Sequence, residues 1–206
     1  MRALLVMTVL ALGGVAHADM IEIQDPPIVA ACPHAATWPL VLACFEQHGL
    51  TPTILGTLDD AILVSVTVVK HGKIIELQGF AIYARTGAAW HLGGLLQEGG
   101  DLAGYTFLRF EHVGAHAYRF DLAASRPSST SFDGVTSVPA VYRQILATFC
   151  SGAGYTCLEL VAKCEQIAHG QTISAFDGTI TVHDHRLSLE GAGTAPACSA
   201  NGEYRF

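Results

Sequence analysis

The first strong hydrophobic pattern in the chain has helical spacing. Thr37 can cap the free amides at its start, Pro39 suits the first turn because its missing N–H costs nothing there, and Gly49 can adopt the left-handed conformation that ends a helix. The pattern predicts an amphipathic helix that begins after Thr37 and ends near Gly49. Its apolar residues recur at i, i+3, i+4 and i+7 and are Trp38, Val41, Leu42 and Phe45.

A second segment repeats this pattern later in the chain. Ser137 stands where a capping hydroxyl is expected, Pro139 again falls in the first turn, and Gly152 lies just beyond the last apolar position. The spacing predicts a second helix over residues 137–149. Its apolar stripe would consist of Val138, Val141, Ile145 and Phe149.

Strand-like segments follow each predicted helix. They are rich in β-branched and aromatic residues, and short turn signals separate several of them. We expect two-residue turns at His71-Gly72 and His169-Gly170 and a further turn at Asp177-Gly178. The predicted strands cover residues 62–69, 73–83, 89–96, 105–111, 117–122, 156–163, 171–176, 179–182 and 186–189.

Similar landmarks follow both predicted helices in the same order. Each helix precedes a His-Gly turn, and each series ends on Tyr-Arg-Phe, at Tyr118-Arg119-Phe120 and at Tyr204-Arg205-Phe206. A helix with one apolar stripe must bury it, and an antiparallel sheet with one apolar face is a suitable partner. The sequence therefore predicts an internal repeat and an α+β fold of two tandem helix-plus-antiparallel-sheet units, stapled by disulfides. Whether the two sheets merge stays open.

The sequence divides into four parts. Residues 1–18 predict a signal peptide, and residues 19–122 the first helix-plus-sheet unit. A stretch rich in serine, threonine and proline predicts a linker over residues 123–136. The second, shorter helix-plus-sheet unit would cover residues 137–206.

The first 18 residues have the three-part layout of a secretory signal. Arg2 gives a basic start, residues 3–15 are mostly apolar or small, and Ala16-His17-Ala18 places small residues where a signal peptidase cleaves. The apolar run is shorter than the ~20 residues of a membrane span. We therefore expect an exported chain, periplasmic or extracellular, that starts near Asp19 and has no membrane span after signal removal.

All six cysteines fall after the expected cleavage site. An even number of cysteines in an exported chain predicts three disulfides. A thiolate metal site is disfavoured because the chain has no Cys-x-x-Cys pair. Many pairings are possible, so spacing leaves the connectivity open. Because cysteines that are close in sequence meet first, we expect the pairs Cys32–Cys44, Cys150–Cys157 and Cys164–Cys198.

The composition excludes two classes of protein. The chain has 11 Lys and Arg against 18 Asp and Glu, a net charge of −7, and it contains no basic run. Such an acidic chain does not attract nucleic acid or anionic lipid. Hydrophobic residues make up 50% of the chain and charged residues only 14%, which excludes intrinsic disorder.

Two histidine clusters are candidates for a divalent metal, and no other cofactor is predicted. His183 and His185 would share one face of a strand and could bind one ion, whereas in a turn they would point into solvent. His112 and His116, with Glu111, have the spacing of successive helical turns. The surroundings of this second cluster favour a solvated loop between strands.

The sequence contains no local signature of a catalytic site. The G-x-S-x-G, H-E-x-x-H and glycine-rich phosphate motifs are absent, and Asp59-Asp60, the only adjacent carboxylate pair, favours a turn. We therefore expect an exported non-catalytic binding or interaction protein with a protein or cell-envelope partner. The alternatives are an exported hydrolase whose site is assembled from distant residues, which leaves no motif, and a His-based metal-binding protein.

Overall fold

The computed structural model describes residues 32–70, 73–100, 104–131, 137–152, 157–195 and 198–206. The predicted signal peptide and the predicted His71-Gly72 turn lie outside these ranges. The strands on either side of that turn pair with each other up to Lys70 and Lys73. Within the described ranges, the chain forms two antiparallel sheets and one helix.

The elements are numbered in chain order. The helix α1 covers Trp38–Gln47 and follows the short strand β1 (His34–Ala35). Strands β2 to β5 cover Leu50–Thr57, Ala61–Lys70, Lys73–Thr86 and Ala89–Gly100. Strands β6 to β12 cover Tyr105–Gly114, Ala117–Ser131, Ser137–Ser151, Cys157–Ala168, Gln171–His183, Arg186–Thr194 and Gly202–Arg205.

A five-stranded sheet carries the helix on one face. Its strand order is β1-β5-β4-β3-β2, with every neighbouring pair antiparallel. Val41 and Phe45 of α1 are buried and pack with Val64 and Tyr83 of the sheet. Trp38 adds an edge-to-face contact with Tyr83, with 5.7 Å between the ring centroids. Three of the four stripe residues thus pack on the sheet as the spacing predicts, whereas Leu42 is 37% exposed.

The first predicted helix is confirmed, with one difference at its start. The helix ends before Gly49, whose φ of +70° is the expected left-handed conformation. Thr37 occupies the N-cap position, but its side chain makes no capping hydrogen bond. The backbone carbonyl of Thr37 instead accepts hydrogen bonds from the amides of Leu40 and Val41.

A seven-stranded sheet packs on the other face of the five-stranded sheet. Its strand order follows the chain, from β6 at one edge to β12 at the other. Phe80 and Ile82 of the smaller sheet share a buried cluster with Tyr118, Phe120 and Leu122 of the larger one. The molecule therefore has three layers, and the main core lies between the two sheets.

The seven-stranded sheet curves around the face that is turned away from the five-stranded sheet. That face carries Phe149 of β8, whose cluster also includes Val113 of β6 and Phe206, just after β12. Because β6 and β12 are the two edges of the sheet, both can reach one cluster only if the sheet curves towards this face. We call it the concave face.

The predicted second helix is wrong, because residues 137–149 lie in strand β8. Leu146 and Cys150 pack towards the five-stranded sheet, whereas Ala147 and Phe149 pack on the concave face. This alternation has a period of two residues, and the β-branched residues of the segment favour a strand. β8 is hydrogen-bonded to both β7 and β9 along most of its length, which satisfies its backbone in the extended form.

The predicted α+β fold of two helix-plus-sheet units is therefore wrong. The protein is mostly β, with two antiparallel sheets that stay separate and one helix among the described residues. The chain passes from the first sheet to the second between β5 and β6. Strand β7 takes in residues 123–131 of the predicted linker. The first predicted repeat copy begins with helix α1, whereas the second begins with strand β8.

The three expected disulfides are confirmed, with the expected pairing. Cys32–Cys44 ties α1 to the segment before β1. Cys150–Cys157 joins β8 to β9, and Cys164–Cys198 joins β9 to the segment that precedes β12. Disulfides persist in oxidising surroundings, so the protein belongs outside the reducing cytosol.

One of the two further predicted turns is confirmed and the other is wrong. His169-Gly170 connects β9 to β10, with φ angles of +51° and +75°. Asp177-Gly178 lies inside β10 instead. A Cβ atom at Gly178 would lie 2.7 Å from Cδ1 of Leu189 and 2.8 Å from the carbonyl oxygen of Ala162. Glycine is therefore needed at this position for close packing within the sheet, not for a turn.

Candidate functional site

The concave face of the seven-stranded sheet contains an open cavity of about 680 Å³. Ala123 of β7 and Ile145 of β8 line it, whereas Leu122 and Leu146 on the same strands belong to the core between the sheets. Because side chains alternate along a strand, the cavity lies on the face turned away from the five-stranded sheet. Its walls come from strands, which hold side chains in place more rigidly than loops do.

Four charged side chains line the cavity beside its apolar residues. Lys163 of β9 and Asp177 of β10 are cross-strand partners, and their Nζ and Oδ1 atoms lie 2.6 Å apart. Arg143 of β8 and Glu165 of β9 are also cross-strand partners. Among the described residues, however, neither Arg143 nor Glu165 forms an ion pair. The cavity thus offers one positive and one negative group that are not neutralised by a neighbour.

A network of two arginines and two carboxylates lies next to the cavity on β6 and β7. Asp121 is 1% exposed, and its carboxylate accepts two hydrogen bonds from Arg119, at 2.7 and 3.0 Å. Nε of Arg109 lies 2.7 Å from the same carboxylate. Glu111 completes the network, with an Oε1 atom 3.4 Å from Arg109. The network contains two positive and two negative side chains. The buried carboxylate of Asp121 is therefore paired with an arginine on each of two sides.

Arg119 connects this network to the apolar cluster of the concave face. Its guanidinium lies over the ring of Phe149, 5.2 Å from the centroid. The ring of Phe149 lies 5.5 Å from that of Phe206. Along β7, the cavity residue Ala123 is followed towards the N-terminus by Asp121 and then by Arg119. The cavity, the ion network and the apolar cluster therefore follow one another along one curved surface.

A second polar cluster joins the two sheets. Asp60 lies in the connection between β2 and β3, and its Oδ1 atom is 2.9 Å from Nε2 of His112 on β6. The hydroxyl of Tyr118 on β7 donates a hydrogen bond of 3.4 Å to the other carboxylate oxygen of Asp60. The rings of His112 and Tyr118 lie 5.2 Å apart. Three groups from distant parts of the chain therefore meet at the junction of the sheets.

The Asp60 cluster has only part of what nucleophilic catalysis requires. A carboxylate beside an imidazole can orient a general base, but a nucleophile must lie within reach of that base. Burial raises the pKa of Tyr118 to about 12, and the Asp60 carboxylate adds to the rise. The phenol therefore stays protonated at neutral pH. All six cysteines are oxidised, and no serine or threonine hydroxyl in the described ranges hydrogen-bonds to His112.

The structure does not give His183 and His185 a common strand face. His183 ends β10, and His185 lies in the following turn with a φ of +59°. Nδ1 of His183 is 3.2 Å from the carboxylate of Asp184, and both side chains are almost fully exposed. The ring of His185 lies 5.3 Å from that of Phe206. A metal site at these two histidines stays a prediction.

One group of three potential metal ligands occurs within the described ranges, at Cys32, Cys44 and His48. Because Cys32 and Cys44 form a disulfide, their sulfur atoms are not thiolates and cannot supply the ligands that a zinc site requires. This group is therefore a feature of the disulfide and not a metal centre.

The sequence indicated both halves of the Asp60 cluster without joining them. Asp59-Asp60 predicted a turn, and the described chain does bend there between β2 and β3. His112 and His116 predicted a solvated loop, yet His112 lies on β6 and pairs with Asp60. No sequence signal links these residues, because their contact depends on how the two sheets pack. The charged residues of the cavity were missed for the same reason.

No protein family, curated protein or solved structure matches this chain. Its function must therefore be inferred from its own residues. Across the part of the chain that the structure describes, no helix is both long and apolar enough to cross a membrane.

Proposed function

We propose that the chain is an exported binding protein that holds a ligand or partner segment in the cavity of the seven-stranded sheet without converting it chemically. Export, to the periplasm or to the extracellular space, follows from the predicted signal peptide together with the three disulfides. The partner would be a protein or a component of the cell envelope.

The cavity itself is the observation that carries this proposal. A volume of about 680 Å³ falls within the ~300–1,000 Å³ typical of ligand sites. Ala123 and Ile145 give it an apolar surface, and charged side chains stand beside them. Such a combination supplies apolar area for affinity and a few polar groups for orientation.

The hydrolase alternative would use the pair of Asp60 and His112. It requires a nucleophile, and the group that meets Asp60 on its other oxygen is the protonated phenol of Tyr118. The three side chains also bridge the two sheets. These contacts favour a structural role for the cluster and give the binding proposal precedence.

The proposal is tested with anilinonaphthalene sulfonate, a dye whose fluorescence rises in apolar sites. The variant Ala123→Trp fills the cavity, and Ser125→Trp does so from its rim if the first variant folds poorly. Each variant should weaken dye binding at least about tenfold, a loss of ~1.4 kcal/mol. Leu108→Trp, at an exposed position outside the cavity, is the matched control and should bind like the wild type.

Equal dye affinity in the wild type and in a folded cavity-filled variant would contradict the proposal. Folding of each variant is checked by the temperature of its cooperative thermal transition. A dye that binds more weakly to Leu108→Trp than to Ala123→Trp would likewise place the binding surface elsewhere.

A further inference from the structure

Two cross-strand pairs of oppositely charged residues line the cavity, and only one of these pairs forms an ion pair within the described residues. Lys163 and Asp177 face each other across β9 and β10 and form an ion pair of 2.6 Å. Arg143 and Glu165 face each other across β8 and β9 in the same way. Within the described ranges they form no ion pair with each other or with another residue. Both side chains are exposed, so both charges are available to a ligand.

We propose that the ligand of this cavity is a short apolar peptide with free termini, whose carboxylate pairs with Arg143 and whose ammonium group pairs with Glu165. The inference rests on the proposed function, because it names the ligand class of the same cavity. Directly opposite residues of antiparallel strands have Cβ atoms only ~5 Å apart. The two long side chains can therefore reach the two ends of one small molecule.

The apolar part of the peptide would lie beside these charges. Ile145 follows Arg143 on the same face of β8, and Ala175 is the cross-strand partner of Glu165 on β10. Both line the cavity, as does Ala123. Apolar side chains of a bound peptide would therefore cover residues that are now partly or fully open to water.

The charges of Arg143 and Glu165 disfavour ligands whose charged groups are all of one sign. An anion bound at Arg143 would lie near the Glu165 carboxylate, and a cation bound at Glu165 would lie near the Arg143 guanidinium. A molecule with both signs satisfies both groups at once. Arginine is well suited to the carboxylate end, because its planar fork can bind two oxygens.

Calorimetric titration with three forms of trileucine tests this assignment. The first form has free termini, the second is N-acetylated, and the third is C-amidated. The unblocked peptide should bind about threefold more tightly than either blocked form, since each block removes one pairing with an exposed charge, worth roughly 0.7 kcal/mol. Equal affinity for all three forms would overturn the assignment.

Single variants identify which group binds which end. Arg143→Gln should remove the preference for a free carboxylate and leave the preference for a free ammonium group, and Glu165→Gln should do the reverse. The double variant R186Q/E190Q removes one positive and one negative charge from exposed positions of β11 outside the cavity, so the net charge is unchanged. It should keep both preferences, because neither residue lines the cavity. Loss of both preferences in R186Q/E190Q would overturn the assignment.

The two proposals fail in different ways. If the dye binds in the cavity but no form of trileucine does, the ligand class is wrong and the proposed binding function stands. If filling the cavity leaves both the dye and the peptide affinity unchanged, the proposed function itself is wrong.

Discussion

His112 and Asp60 connect the two sheets through a contact of 2.9 Å between Nε2 and Oδ1. Asp60 belongs to the connection between β2 and β3 of the smaller sheet, and His112 to β6 of the larger one. The hydroxyl of Tyr118 binds the second oxygen of the same carboxylate. A polar contact thus supports the largely apolar interface on which the three-layer structure depends.

We expect a measurable coupling energy between Asp60 and His112. In a double-mutant cycle with Asp60→Asn and His112→Gln, urea unfolding at a pH where the imidazole is protonated should give roughly 0.5 kcal/mol, as for other partly exposed ion pairs. His183 and Asp184, which are neighbours in sequence, serve as the control pair. Both side chains are almost fully exposed, so their coupling energy should be smaller. A coupling no larger than that of the control would show that the 2.9 Å contact does not stabilise the sheet junction.

Tyr118 should make the protein lose stability at alkaline pH. Its pKa is raised from 10.0 to about 12 in the folded protein, so its contribution is fully present below pH 10. Above pH 10 the unfolded chain releases the phenolic proton and the folded chain retains it, so the free energy of unfolding falls by up to about 2 kcal/mol as the pH rises towards 12.

The measurement compares the free energy of unfolding of the wild type and of Tyr118→Phe between pH 8 and 12. The variant lacks the titrating group, so its stability should fall less steeply over this range. Burial also raises the pKa of Tyr204, but that contribution is common to both proteins and cancels in the difference. Parallel curves for the two proteins would rule out a titration of Tyr118 linked to folding.

Replacement of Asp121 should destabilise the fold strongly. Asp121→Ala leaves Arg119, which is 13% exposed, without the carboxylate that accepts its two shortest hydrogen bonds. Breaking a buried pair in this way costs about 3 kcal/mol or more. Glu111→Gln is the control, since its carboxylate is 43% exposed and its loss should cost less than about 1 kcal/mol. Similar losses in chemical denaturation for both variants would contradict a central role for Asp121.

Gly178→Ala should also destabilise the seven-stranded sheet. The added Cβ would lie 2.7 Å from Cδ1 of Leu189 and 2.8 Å from the carbonyl oxygen of Ala162, and overpacking of this kind costs about 1–3 kcal/mol. At Gly114 in β6, the nearest atom to an added Cβ is Cβ of Ala117 at 3.5 Å, an ordinary contact. Thermal unfolding should therefore distinguish Gly178→Ala from Gly114→Ala, and equal transition temperatures would contradict the packing argument.

The sequence predicted correctly where neighbouring residues decide the outcome. The helix at Trp38–Gln47 has its own proline and glycine signals, and His169-Gly170 suits the left-handed angles of a tight turn. The same spacing argument failed at β8. Its apolar positions at Val141, Ile145 and Phe149 fit a helical period, but they are four residues apart and therefore also fall on one face of a strand. Only its hydrogen bonds to β7 and β9 distinguish the two.

The sequence by itself determined the first helix and the acidic net charge, because neighbouring residues and composition control these features. It predicted the three disulfide pairs from closeness along the chain, but the structure was needed to decide among the possible pairings. Tertiary structure alone decided that Asp60 meets His112 and that Arg143 stands opposite Glu165 at a cavity. Strand pairing and the coiling of a sheet depend on contacts between residues far apart in sequence, and local propensity does not encode which partners meet. The candidate binding site belongs entirely to that second group.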